Sequence, residues 1–298
     1  MSAFPNKKNQ SGIALLLVLW MMVILIGIIG VFALISSTES KQGKLLARGV
    51  QARYAAEGGV DVAVLRLGNA DPLLRWVPDN RIYKYGVEKT RLEVRVVDES
   101  GKVDINVAGA DVIGPLLLAV GVESLQAQSI TSAIMDWRDT DDLLTEPGGA
   151  EDPQYAAADL PYGAKDAAFQ TISELQQVMG MTPEIYAKLQ PFITIYSGLA
   201  RPNPSFASLE VLSALGLQSP QIAQLLAERS AWQPGMPVFT LPDGNPLATS
   251  GTGTYSISSV AVEPDGSRAE ITATLRVGEN GNFGLLYTPL AWRVGEID

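Results

Sequence analysis

Near its start the chain carries an unbroken apolar run. Ile13 to Ile35 reads IALLLVLWMMVILIGIIGVFALI, 23 residues without a charge. As a helix rising about 1.5 Å per residue, it is long enough to cross the ~30 Å hydrocarbon core of a bilayer. It exceeds the ~7–15-residue apolar region of a cleaved secretory signal, and Ser36-Ser37-Thr38-Glu39 after it offers no A-x-A-like site. From Ser36 to about Leu67 the pattern turns amphipathic. Leu46, Val50 and Tyr54 recur at i+4, with Lys44, Arg48 and Arg53 on other faces, which predicts one continuous helix. Gly58-Gly59 inside it predicts a bend or a close packing contact, and Asn69-Ala70-Asp71-Pro72 ends it.

The period then changes to that of strands. Arg81–Tyr85 and Thr90–Asp98 are predicted strands; in Arg91-Leu92-Glu93-Val94-Arg95-Val96 polar and apolar residues alternate, one face in and one out. Asp98-Glu99-Ser100-Gly101 is a turn signal, and Lys102–Asn106 reads as a short return strand. From Val107 to about Trp232 the pattern is helical and weakly repetitive. Val120-Gly121-Val122, Met179-Gly180-Met181 and Leu215-Gly216-Leu217 each separate two apolar helical segments. The first helices of these pairs are 111–119, 172–178 and 208–214; the second are 125–135, 183–189 and 220–228. A glycine free to take positive φ between two helices is the physical core of a helix-hairpin-helix. Asp104–Ala108 and Arg201–Ser205 look like run-ins to that motif. After Pro234 the strand period returns in 255–262, 269–277 and 285–294, with Pro264-Asp265-Gly266 turning the first pair into a hairpin.

Composition narrows the chemistry. The 298 residues contain no cysteine and no histidine, and the net charge is −10. Thiolate chemistry, a Ser-His-Asp triad and imidazole metal sites are therefore excluded. An acidic chain repels nucleic acid and attracts cations, and metal binding must use oxygen ligands, which suit calcium or magnesium.

One segment concentrates such ligands. Between Asp136 and Asp152 stand Asp136, Asp139, Asp141, Asp142, Glu146, Glu151 and Asp152, with Arg138 as the one cation. The spacing is not that of an EF-hand, but Pro147-Gly148-Gly149 supplies the bends that a chain needs to wrap an ion. The residues alone leave a metal site and a solvated acidic loop as equal alternatives. If a metal binds, Asp141, Asp142, Glu151 and Asp152 are the first candidates and Asp139 and Glu146 the second. Asp136 is set apart as a helix cap or a partner for Arg138.

Several features together resemble one family. Met1–Gly12 is short and polar, holds Lys7 and Lys8, and ends in a glycine at the membrane boundary; it resembles the leader of type IV prepilins and pseudopilins. Tyr54-Ala55-Ala56-Glu57-Gly58-Gly59-Val60 and Asp136-Trp137-Arg138-Asp139 through Gly149-Ala150-Glu151-Asp152 and Tyr155 resemble the K-type minor pseudopilin of type II secretion over nearly the whole chain. Leu17 stands where most pseudopilins carry a glutamate, an absence that is the habit of the K type.

The resemblance implies an α+β fold: a pilin-like long N-terminal helix packed on an antiparallel sheet, with a large α-helical domain inserted between strands. The expected organisation is a leader (1–12), a transmembrane helix (13–35), a pilin-like domain (36–106 and 236–298) and an inserted helical domain (107–235). It implies cleavage between Gly12 and Ile13 by a prepilin peptidase, methylation of the new N-terminus at Ile13, and structural calcium in the helical domain. Leu17 and Trp20 mark the assembly helix, and no step of catalysis is implied. The implied setting is the bacterial inner membrane, crossed once, with the C-terminal domain in the periplasm. The implied partners are other minor pseudopilins and the major pseudopilin at a pseudopilus tip, with an exoprotein or the secretin as further contacts and no nucleic acid. Lys41, Lys44, Arg48 and Arg53 after the span outnumber Lys7 and Lys8 before it, so the charge count opposes this orientation. The leader favours it, and long domains translocate largely regardless of charge.

Two other functions compete with this one. A membrane-anchored DNA-binding protein would place glycine-turn amides on phosphates, but Val122-Glu123, Met181-Thr182-Pro183 and Leu217-Gln218 bring no positive charge there. A metal-assisted hydrolase would use paired carboxylates, yet the chain lacks histidine, cysteine and a G-x-S-x-G motif.

Overall fold

The computed structural model describes residues 11–278 and 286–295. Residues 1–10 of the expected leader lie outside the described residues, as do 279–285 and 296–298. Helix α1 (Ser11–Leu67) is a single element, about 85 Å long at 1.5 Å per residue. Its two halves differ in what surrounds them. Residues 13–35 are exposed on every face. Beyond them Ala52, Ala56, Val60, Ala63, Val64 and Leu67 are buried. These positions follow the three-and-four spacing that lines one helix face, and small residues there let the helix lie close to a sheet.

That sheet has five strands in the order β1-β2-β5-β6-β7, all antiparallel. The strands are β1 (Asp79–Val87), β2 (Thr90–Asp98), β5 (Thr254–Val262), β6 (Arg268–Val277) and β7 (Tyr287–Val294). In β2, Leu92, Val94 and Val96 point to α1, while Arg91 and Arg95 are exposed on the other face. Ile257, Ala261, Ile271, Ala273 and Leu275 complete the core beneath α1. Gly59 shows why that helix needs a glycine: an added Cβ would meet Ser259 Oγ at 2.1 Å and Val94 Cγ2 at 3.3 Å. The helix stays unbroken here, so Gly58-Gly59 marks a close packing contact and no interruption.

Between β2 and β5 the chain leaves the sheet and builds a helical block. Its elements are β3 (Val103–Asp104), α2 (Ala110–Ala119), α3 (Ser124–Arg138), α4 (Asp152–Ala157), α5 (Pro183–Leu189), β4 (Ile193–Thr194), α6 (Leu209–Ala214) and α7 (Ser219–Ala231). Their core holds Val112, Leu116, Leu117, Ile130, Ile134, Tyr155, Leu189 and Leu212. The three glycine turns have φ of +84°, +80° and +88° at Gly121, Gly180 and Gly216. At Gly121 and Gly216 the following residue donates back to the preceding helix: Val122 N–H to Leu117 O and Leu217 N–H to Leu212 O, at 3.0 and 3.2 Å. This is the wrapped helix end that a left-handed glycine permits.

Two expectations need correction. Lys102–Asn106 is not a return strand of the main sheet. Val103 and Asp104 pair in parallel with Ile193 and Thr194, some 90 residues on, in a separate two-stranded ribbon. The apolar alternation was real, but its partner is remote. Residues 172–177 form a 3-10 turn where the glycine repeat predicts an α-helix. Glu174 there folds back to accept the Thr171 N–H at 2.9 Å, tightening the turn.

Candidate functional site

Asp136 organises the acidic loop. It sits on α3, fully buried. Its carboxylate accepts the amides of Thr145 at 3.1 Å and Ala150 at 2.8 Å, so it pins both ends of the loop that leaves the helix. It does not pair with Arg138. That guanidinium donates instead to the carbonyls of Ile105 and Ala108, holding α3 against the segment before α2. Beneath the loop lies an aromatic cluster. Trp137 stacks on Phe169 with centroids 6.2 Å apart, and Tyr155 and Tyr162 lean on it at 5.9 and 6.3 Å. The Tyr155 hydroxyl accepts the Met179 amide at 3.0 Å. The loop therefore rests on a rigid apolar floor.

Above that floor the carboxylates crowd. Glu151, at the start of α4, is 4% exposed, and its Oε1 is buried with no hydrogen-bond partner. Burial, with Asp136, Asp139, Asp166 and Asp142 nearby, pushes its carboxyl up to about 7. Asp139, just after α3, likewise has a buried Oδ1 without a partner. Burial first, then Asp141, Asp136 and Asp166, raises its pKa. Asp166 is a member the sequence pattern missed. It lies beyond the acidic run, with a left-handed φ of +51°, and only the folding of 152–169 brings it back.

The remaining candidates are placed as follows. Asp141 is exposed and accepts the Leu143 amide at 3.0 Å. Asp142 is exposed, close enough to act on Glu151. Asp152 lies over Gly163, where a Cβ would meet its Oδ1 at 1.7 Å. Glu146 is exposed and lines a cleft with Gly114, Leu118 and Pro147. Among the described residues, no group of three or more carboxylates is placed so as to hold a metal ion. What the loop does show is two buried, unbonded carboxylate oxygens in a field of like charge. Such groups are costly to bury unpaired, and a hard divalent cation would relieve them. The donor set, all oxygen, fits that class of ion.

The other candidate surface is the apolar part of α1. It is the one described helix long and apolar enough to cross a membrane. Leu17 is 58% exposed and Trp20 66%, and Leu16, Leu19, Trp20 and Val23 line a shallow apolar concavity. Ile13, the expected new N-terminus, lies in the first turn of this helix.

A membrane-length helix that runs on to pack against an antiparallel sheet, with a helical block inserted between two strands, defines a pilin-like fold with a large insert. Comparison with known proteins narrows this. The family model "Type II secretion system (T2SS), protein K" matches residues 90–198, from β2 through the acidic loop to just past β4. The chain is 30% identical over 162 residues to type II secretion system protein K of Pectobacterium carotovorum subsp. carotovorum, a match covering 41% of this chain and 49% of that protein. It is 26% identical over 215 residues to protein K of Aeromonas hydrophila, covering 63% and 64%. The chain thus spans less than two thirds of the length of either relative. A crystal structure titled as the GspK-GspI-GspJ complex of the enterotoxigenic Escherichia coli type 2 secretion system contains a chain of the same fold. It aligns with a TM-score of 0.52 at 15% identity, over 88% of this chain and 99% of that one. Over the region from β2 to just past β4 the chain is thus similar to the type II secretion system protein K family.

Proposed function

We propose that this protein is a minor pseudopilin of a type II secretion system, acting at the tip of the pseudopilus and helping to start its assembly. The observation that carries this is the continuity of α1. One helix joins an apolar span, exposed on every face, to a head built on the protein K domain. Among the described residues nothing packs on residues 13–35, and such an element is made to lie in lipid and against other helices. The solved relative is described as a complex with GspI and GspJ, which supports counterparts of those subunits as the partners here. In this reading the major pseudopilin adds beneath the tip, and the head faces the secretin or an exported protein. A prepilin peptidase cuts between Gly12 and Ile13, the new amine at Ile13 is methylated, and the head lies in the periplasm. No chemistry on a substrate is called for.

Calcium belongs to this proposal as a structural ion. Glu151 and Asp139, with their unbonded oxygens, would hold it, joined by oxygens from Asp141, Asp142, Asp152 or Asp166. Asp136 is committed to loop amides and would position the loop. The ion would supply charge neutralisation and lock the loop onto α3 and α4. The test of the whole reading is complementation. A strain lacking its own protein K subunit, supplied with this gene together with its cognate minor pseudopilins, should regain secretion, and the mature chain should begin with methylated Ile13 by mass spectrometry. An unprocessed chain beginning at Met1, with no secretion, would overturn it.

A further inference from the structure

Away from the acidic loop, a positive charge is buried that enters no ion pair among the described residues. Arg229 on α7 is only 9% exposed. Its Nη1 donates to the carbonyls of Pro204 at 3.2 Å and Ala207 at 2.7 Å. Its Nε is buried and makes no hydrogen bond, and among the described residues it enters no ion pair. Burial lowers its pKa, Asp79 works against this from a distance, and Arg81 adds to it. A guanidinium out of water without a counter-charge is expensive unless something supplies one.

Arg229 lines a cleft of about 460 Å³ between α7 and the start of β1. Arg81 stands on the opposite wall. Its own charge is matched by Asp79, through Nε to Oδ1 at 2.9 Å and Nη2 to Oδ2 at 2.7 Å. Arg81 also donates to the carbonyls of Arg229 and Trp232, both at 3.3 Å, so it caps the end of α7 and removes those carbonyls as a source of repulsion for an anion. Asn80 between them takes a left-handed φ of +70°, at a register shift in β1. Two guanidiniums and one carboxylate thus meet in a concave site, in a chain whose net charge is −10. With Nε buried and Nη1 committed to carbonyls, Nη2 of Arg229, for which no hydrogen bond is found among the described residues, is the donor left for an oxyanion.

We propose that this cleft binds an oxyanion, a carboxylate or phosphate group carried by a ligand larger than a bare ion, with Arg229 as its principal anchor. The volume argues for the larger ligand, since one water occupies only about 30 Å³. The inference rests on the α7–β1 junction and is independent of the secretion reading. The competing account is structural: Arg229 does no more than fasten residues 204–207 to α7.

The test uses the full chain in detergent micelles at constant ionic strength, balanced with chloride. Thermal unfolding is followed against sodium phosphate, sodium acetate, and a short peptide with a free C-terminal carboxylate beside its amidated twin. A saturable rise in melting temperature with an oxyanion, above that of chloride, is expected. Ser230→Glu, which brings a carboxylate to an exposed position on the cleft wall, should weaken the apparent affinity by about tenfold or more through like-charge repulsion. Gln233→Glu gives a second variant of the same design in case the first melts early. A response to the free peptide but not to its amide identifies a chain-end carboxylate, and a response to phosphate alone identifies a phosphate ligand. No saturable rise with any of these, or an equal rise in wild type and both variants, overturns the proposal.

Discussion

Gly58 and Gly59 are neighbours with opposite roles. A Cβ at Gly58 meets nothing within 4 Å, whereas one at Gly59 meets Ser259 and Val94. Gly58→Ala should therefore stabilise the chain by about 0.5–1 kcal/mol, through helix propensity alone. Gly59→Ala should destabilise it by about 1–3 kcal/mol, the usual cost of overpacking. Denaturant unfolding of the two variants checks both signs. Glu151 supplies a pH test. Its usual pKa is 4.5, and the fold raises it to about 7. A raised carboxyl contributes stability that is full below 4.5 and is lost as pH climbs through about 7. The metal-free chain should lose this contribution across that window. Calcium requires the carboxylate, so the stabilisation it confers should grow over the same window, reaching roughly 2.7 kcal/mol at a hundredfold excess over Kd. Glu151→Gln should flatten the pH dependence and reduce the calcium response. Melting curves with calcium and with chelator decide it: a calcium effect indifferent to both pH and Glu151 places the ion elsewhere.

At the scale of elements, the glycine turns carry the helical block. Gly121 and Gly216 lie at φ of +84° and +88° with open space around a would-be Cβ. Their alanine variants meet no clash, and the expected cost is the left-handed backbone term alone, about 1–2 kcal/mol each, read from the melting temperature. Near-zero cost would mean that the turns relax and do not fix the helix pairs. These elements were legible in the sequence for a physical reason. Leu212 and Leu217 flank Gly216 at short range, and Leu92, Val94 and Val96 alternate within one strand, so period and turn chemistry suffice. Remote pairing was not legible. Val103 alternates like a strand residue, but its partner Ile193 lies far along the chain. The acidic loop was half legible. The run from Asp136 to Asp152 announces itself, but nothing local says that Asp136 is consumed by Thr145 and Ala150. Nor does anything local say that Asp166 folds back toward Glu151. Arg229 was invisible for the same reason: on α7 it reads as an ordinary solvated cation, and only tertiary packing buries it.

For the whole molecule, the decisive contrast is between a head closed on its own cores and a span that nothing among the described residues covers. Leu17 sits in that span, 58% exposed, where most pseudopilins are expected to carry a glutamate. A carboxylate in hydrocarbon is costly unless a neighbour pairs with it. A subunit that follows another in a filament has such a neighbour in the preceding amine; a subunit at the tip has none. Leu17→Glu therefore tests the placement. The span keeps its other apolar residues and ends near the interface, so the variant should still insert, and its amount in the membrane fraction should match the wild type. Secretion in the complemented strain should fall, because the new carboxylate finds no amine above it and competes for positions lower in the filament. Undiminished secretion with normal membrane levels would mean that the missing glutamate does not assign this subunit to the tip. The place of the chain in the filament would then have to come from its head.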